Sequence, residues 1–144
     1  MQTIREVMTA NVQTISPKDT IQRAAQMMDD LNVGAIPVCE GERLLGMITD
    51  RDIAVRSTAV GQAPGETPVE GVMSTDVRTC FSDQTVEEVL ATMGDVQIRR
   101  LPVIDQDSKK LVGIVSLGDI ATKSRGDTGG ALDEISSPSA PDRG

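Results

Sequence analysis

The chain contains no histidine, no tryptophan and no tyrosine, and it carries one phenylalanine, Phe81, and two cysteines, Cys39 and Cys80. Without an imidazole there is no Ser/His/Asp or Cys/His catalytic set and no His-ligated metal, and two thiols cannot supply a four-sulfur zinc site. Aromatic residues make up 1% of the chain, which leaves no platform for stacking bases. Bases are also scarce: 14 Lys and Arg face 22 Asp and Glu, and the net charge of −8 repels a phosphate backbone. Nucleic acid is therefore not an expected partner. No run approaches the roughly 18 apolar residues that a membrane span requires. The opening MQTIREVMTA carries Arg5 and Glu6 with no apolar stretch behind them. The expected location is the cytoplasm, where Cys39 and Cys80 read as reduced, small hydrophobic residues.

What is present is enough for a core. With 38% apolar residues in 144, the chain is long enough for one compact domain or two small ones. Its most informative feature is an internal repeat. Sliding residues 7–38 onto 72–103 matches Val7, Met8, Val12, Thr14, Thr20, Met28, Asp30, Pro37 and Val38 with identical residues, nine of 32 positions. After two extra residues in the second copy, LLGMITDRDIA (44–54) lies on LVGIVSLGDIA (111–121).

Each copy reads as β-α-β-β-α. Val12–Ile15 and Val77–Phe81 are short β-type runs. Ile21, Ala24, Ala25, Met28 and Leu31, and likewise Val86, Val89, Leu90, Met93 and Val96, recur at helical spacing and predict one apolar face each. Ile36–Cys39 and Leu44–Ile48 predict one hairpin, Leu101–Ile104 and Leu111–Val115 another, and a second helix opens after Thr49 and after Ser116. The expected fold class is α+β, with two such repeats packed in pseudo-twofold symmetry. Expected boundaries are 1–57 for the first repeat, 58–71 for a Gly- and Pro-rich linker, 72–123 for the second repeat and 124–144 for a flexible tail.

The repeated T/S-x-x-D, Thr49 with Asp52 and Ser116 with Asp119, admits two readings. A hydroxyl followed three residues on by an acid is a helix N-terminal cap, worth about 1 kcal/mol. The same carboxylate accepts both hydrogen bonds of a ribose diol, and a helix mouth offers N–H donors to a phosphate. Arg56 and Lys123, each four residues after its Asp, are either i, i+4 ion-pair partners or counter-charges to phosphate. Upstream, Gly34-Ala35-Ile36-Pro37 aligns with Arg99-Arg100-Leu101-Pro102. Gly34 and Ala35 leave room for a flat ring, whereas Arg99 and Arg100 fill that space or reach a polyphosphate.

With its VMT and VMS openings, its GAIPV and RRLPV strand starts and its GMITDRDIA and GIVSLGDIA closings, the chain resembles a pair of cystathionine-β-synthase (CBS) domains, a Bateman module, over residues 1–123. The resemblance implies clefts that take an adenosine-containing ligand such as AMP, ADP, ATP, S-adenosylmethionine or NAD, with no metal required. It implies that the Ser/Thr and Asp of one repeat contact ribose and phosphate while the first strand and pre-proline segment of the other hold the base. One cleft then joins Thr49 and Asp52 to the Thr79 strand and Ile98-Arg99-Arg100. The other joins Ser116 and Asp119 to the Thr14 strand and Val33-Gly34-Ala35. The implied function is a non-catalytic sensor of cellular energy state, homodimeric and docking on an unidentified target protein. The other reading is a structural dimerisation module with empty clefts. No nucleophile–base pair supports an enzyme.

Overall fold

The computed structural model describes residues 2–96 and 99–123. The expected base contact Ile98 and the expected tail, 124–144, lie outside the described residues. The elements run α1 (Ile4–Val7), β1 (Thr9–Ala10), α2 (Ile21–Leu31), β2 (Ala35–Glu40), β3 (Arg43–Thr49), α3 (Asp50–Arg56), β4 (Cys80–Phe81), α4 (Val86–Val96), β5 (Arg100–Ile104), β6 (Leu111–Ser116) and α5 (Leu117–Lys123). The protein is thus of mixed α+β class with two sheets, and it forms two compact units.

The sequence repeat and the packing unit are offset. Among the described residues, one unit runs from Gln13 to Val77, and the other joins 2–12 to the chain from Arg78 to Lys123. Apolar residues set this exchange. Val69 and Val72, both buried, belong to the core of the Gln13–Val77 unit together with Ile21, Ile36, Val38 and Ile48. Ile4 and Val7 are buried in the other core with Val86, Met93, Leu101 and Ile120. The stretch 58–71, Gly- and Pro-rich as a linker is, is nevertheless tied down by backbone bonds from Val69 to the Asp19 carbonyl (2.7 Å) and from Glu70 to the Pro17 carbonyl (3.0 Å). Val69 and Thr67 are buried within it, while Val60 is exposed.

In the Gln13–Val77 unit β2 and β3 pair antiparallel, with Ala35 opposite Thr49 and a bulge at Val38/Cys39. Single bridges extend this hairpin on both sides, Ile15 to Val38 in parallel and Ser74 to Met47 in antiparallel. The expected strand Val12–Ile15 is therefore only a bridge at Ile15. Helix α2 starts where the Thr20 hydroxyl accepts the Arg23 N–H (3.2 Å) and stops at Asn32 in the left-handed region, φ 55°. Its buried stripe is Ile21, Ala24, Met27 and Met28. Ala25 and Leu31, expected on that face, are exposed. The long, unbranched Met27 reaches apolar contacts that the methyl of Ala25 cannot.

The other unit repeats the plan, with two-residue strands β1 and β4 where the first has single bridges. Its sheet has the order β1-β6-β5-β4, with Arg100 opposite Ser116 and a bulge at Val103/Ile104. Helix α4 is capped reciprocally, Thr85 Oγ1 accepting the Glu88 N–H and the Glu88 carboxylate accepting the Thr85 N–H, each at 3.2 Å. Val86, Val89, Leu90 and Met93 are buried as the periodicity predicts.

Candidate functional site

Both repeated T/S-x-x-D elements are complete capping boxes. The Thr49 hydroxyl accepts the Asp52 N–H (3.0 Å) while the Asp52 carboxylate accepts the Thr49 N–H (3.0 Å). Ser116 and Asp119 do the same at 3.0 and 3.1 Å. Each carboxylate is met by a second hydroxyl that the sequence reading missed. Ser74 Oγ donates to Asp52 at 3.1 Å, and Thr9 Oγ1, its equivalent in the repeat, lies 3.4 Å from each Asp119 oxygen. The signal was visible as the duplicated V-M-T and V-M-S, but nothing in the chain order says that each swings over the other copy's closing helix.

Two matched glycines admit these segments. A Cβ on Gly113 would stand 2.6 Å from the Thr9 carbonyl oxygen and 2.8 Å from Met8 Sδ, and a Cβ on Gly46 would run into the Ser74 carbonyl. The close approach, not backbone conformation, requires glycine at both places.

The basic residues one turn further on are paired. Arg56 Nε is 3.8 Å from Asp52, and its guanidinium also donates to the carbonyl of Met73 (3.2 Å), fastening the Ser74 segment. Lys123 Nζ lies 3.6 Å from Asp119. The expectation that the helix mouth holds free donors needs correction in the Gln13–Val77 unit. There the Asp50 N–H goes to the Gly34 carbonyl (3.0 Å), the Arg51 N–H to the Asp50 carboxylate (2.8 Å) and the Asp52 N–H to Thr49. In the other unit the Leu117 N–H goes to the Arg99 carbonyl (2.9 Å), and Leu117 brings no carboxylate to Gly118.

Within one unit the structure therefore brings Gly34 and Ala35 beside Thr49 and Asp50, at the head of the helix that carries Asp52. Within the other it brings Arg99 and Arg100 beside Ser116 and Leu117, at the head of the helix that carries Asp119. Thr14 and Thr79 are exposed, each one residue ahead of the position that pairs with the proline-led strand. Val33 packs against the core of its unit, its N–H bonded to the Met28 carbonyl (3.0 Å) at the end of α2. Burial pushes the Cys39 thiol up and the Cys80 thiol up to about 12, so both stay neutral near pH 7. Among the described residues no cluster of three or more His, Cys, Asp or Glu is arranged to hold a metal ion, and no helix is long and apolar enough to cross a membrane.

Two hydroxyl–carboxylate caps at the ends of duplicated hairpins define a tandem-repeat module. The CBS-domain family model matches residues 4–57 and 69–126, and the chain belongs to the CBS-domain family. It is similar to the CBS domain-containing protein YhcV of Bacillus subtilis (strain 168), 49% identical over 138 residues that span 94% of this chain and 96% of that protein. The crystal structure of Hypoxic Response Protein I, which contains two coordinated zinc ions, has a TM-score of 0.75 at 36% identity, covering 85% of this chain and 98% of its own. The crystal structure of CBSX2 in complex with AMP shares the fold at TM-score 0.72 and 21% identity, over 85% of this chain and 95% of that one. A relative such as YhcV consists, over nearly all its length, of the same tandem.

Proposed function

We propose that the protein is a non-catalytic regulatory module that binds an adenosine-containing ligand through its repeated hydroxyl–carboxylate pairs. The observation that carries this reading is the Asp119 carboxylate, 18% exposed and held by Thr9 only at 3.4 Å, on a helix whose first N–H, that of Leu117, meets the Arg99 carbonyl. A carboxylate so placed exchanges a weak protein hydroxyl for the paired hydroxyls of a ribose without losing its cap. The candidates are AMP, ADP, ATP, S-adenosylmethionine and NAD, and CBSX2, of the same fold, is known bound to AMP. Expected base contacts are Thr14, Val33, Gly34 and Ala35, with Thr79, Ile98, Arg99 and Arg100 as their counterparts. We further propose a homodimer that docks on a target protein, where the ligand acts by its differential affinity for two conformations.

Calorimetry with the five candidates tests the reading. Wild type binds at least one of them, and Asp119→Ala weakens that binding about tenfold or more, equivalent to about 1.4 kcal/mol. Absence of binding by all five, or affinities that ignore both Asp52→Ala and Asp119→Ala, would overturn it. One observation favours a purely structural role for the first-repeat pair. Asp52 is 8% exposed, with the Thr49 N–H, the Ser74 hydroxyl and Arg56 all directed at it. A structural Asp52 shows as a stability loss in Asp52→Asn with no change in ligand affinity.

A further inference from the structure

The chain passes between its two units twice, at Val12–Gln13 and at Val77–Arg78, the same place in each copy of the repeat. Three residues ahead of each crossing stands a hydroxyl that donates to the Asp of a closing helix, Thr9 to Asp119 and Ser74 to Asp52. Ahead of the second crossing the chain is fastened several times over. Ser74 and Met47 exchange two backbone bonds, and the Arg56 guanidinium donates to the carbonyls of Val72 and Met73 at 3.4 and 3.2 Å. Ahead of the first crossing, Ile4 and Val7 are fully buried and anchor the chain that far. Thr9 and Ala10 beyond them are exposed, in a strand of two residues. Among the described residues, the side-chain hydrogen bonding of Thr9–Val12 consists of the Thr9 hydroxyl alone, shared between the two Asp119 oxygens at 3.4 Å each. Asn11 then turns through the left-handed region at φ 56°, which its counterpart Asp76 does not. Asparagine tolerates that region without preferring it.

We infer that Thr9 and Asp119 form a latch on the first crossing, and that a ligand taking the carboxylate from Thr9 frees Thr9–Val12 and changes how the chain enters the Gln13–Val77 unit. The inference rests on the proposal that Asp119 accepts ribose hydroxyls, and it adds the route from binding to conformational change. A carboxylate offers about four acceptor sites. At Asp119 the Ser116 N–H takes one and Lys123 faces another, so the two hydroxyls of a diol need the sites over which the Thr9 bond is shared. With Thr9 displaced, two exposed strand residues are left to hold Asn11 in its left-handed turn. The ligand then favours the unlatched state because it competes with Thr9 only in the latched one. At Asp52 the same displacement would leave the Met47 and Arg56 bonds to the backbone in place, so the second crossing does not respond.

Amide hydrogen exchange, resolved by NMR, reads the crossing directly. Thr9→Val keeps the side chain's shape and removes its hydroxyl. In the ligand-free protein it is expected to speed exchange at residues 10–13 about threefold or more, whereas Thr9→Ser exchanges as wild type and Ser74→Ala leaves residues 75–78 within about twofold. Thr9→Ala makes the same measurement should valine disturb β1. AMP, ADP, ATP, S-adenosylmethionine and NAD are then added in turn, and any that calorimetry shows to saturate the protein speeds exchange at 10–13 in wild type and adds nothing in Thr9→Val. Because the latch competes with the ligand, Thr9→Val also binds about threefold tighter. A Thr9→Val protein that exchanges like wild type overturns the inference. So does a saturating ligand that leaves wild-type exchange at 10–13 unchanged, and in that case adenosine binding stands. Thr9-dependent exchange without binding of any of the five upholds the latch and removes the adenosine reading.

Discussion

Asp52 and Asp119 stand at the same position of two copies of one motif, cap helices of equal length, and each faces a hydroxyl from the same place in the repeat. Their surroundings nevertheless diverge. Around Asp52 the second hydroxyl is close, Arg56 reaches past the carboxylate to bind the backbone of the Ser74 segment, and Ser74 exchanges two backbone bonds of 2.8 and 2.9 Å with Met47. Around Asp119 the hydroxyl is longer, Lys123 is a single point charge with no hydrogen bond to the Thr9 segment, and Thr9 sits in the two-residue strand β1 paired with β6. Duplication supplies two equal motifs; a few side chains then hold Asp52 more closely than Asp119, and the ligand role proposed for Asp119 rests on that difference.

The largest expected effect breaks the comparison at the two glycines. Gly46→Ala drives a methyl into the Ser74 carbonyl, which accepts the Met47 N–H while Arg56 fastens the preceding Met73 carbonyl. Gly113→Ala meets the Thr9 carbonyl at 2.6 Å and, at 2.8 Å, the flexible end of Met8, which can move aside. Overpacking of this kind costs about 1–3 kcal/mol, and Gly46→Ala belongs at the upper end and Gly113→Ala at the lower. Denaturant unfolding of the two variants reads it directly. Equal costs would mean that the first-repeat segment is no more firmly fastened than the second.

The carboxylates themselves come next. Asp52→Ala removes a cap, a partner for Ser74 and a partner for Arg56 at a nearly dry position, and about 2 kcal/mol is expected. Asp119→Ala removes the equivalent cap at a more exposed position with a longer second contact, for about 1 kcal/mol. If Asp119→Ala proved the more destabilising in the same unfolding assay, the assignment of the two roles would have to be exchanged.

Much of this was legible in the chain. Both long helices, both hairpins and both short closing helices are present where period and spacing predict them, because apolar residues at Ile21, Ile36, Val86 and Leu101 leave one consistent way to bury a face. The hydroxyl–acid pairs were also readable, since N-cap chemistry is local and the residues involved are three apart. What could not be read was non-local. Ile4 and Val69 pack with partners across the boundary between copies, and Gly46 is explained only by a carbonyl 28 residues away in the chain, at Ser74. The misplaced stripe on α2 has a similar cause: spacing fixes the period of a helix, while the neighbouring sheet decides which of Ala25 and Met27 faces inward. The inequivalence of the two sites is likewise invisible in a motif they share, because it depends on where the arginines and the second hydroxyls are held.

The smallest effect concerns the two hairpin turns. The β2–β3 turn is tight, with Gly41 at φ 62°. The β5–β6 turn is longer and is organised by Asp105, whose carboxylate accepts the Ser108 N–H and the Ser108 hydroxyl, each at 2.8 Å, with Arg5 3.5 Å away. The Ser108 bonds, first from the backbone and then from the side chain, with Arg5 adding to them, hold the Asp105 carboxyl below its ordinary value of 3.8. A carboxyl whose folded value is lowered favours folding above its unfolded value, and that contribution is lost as the pH falls through the folded one. The turn is therefore expected to loosen only below about pH 3.8. Exposure keeps the global cost small, so the readout is the Asp105 carboxyl itself, titrated by NMR. Ser108→Ala should move its midpoint upward toward the ordinary aspartate value, while resonances of the β2–β3 turn stay unchanged. A midpoint in wild type at or above 3.8 would show that Ser108 does not organise the turn.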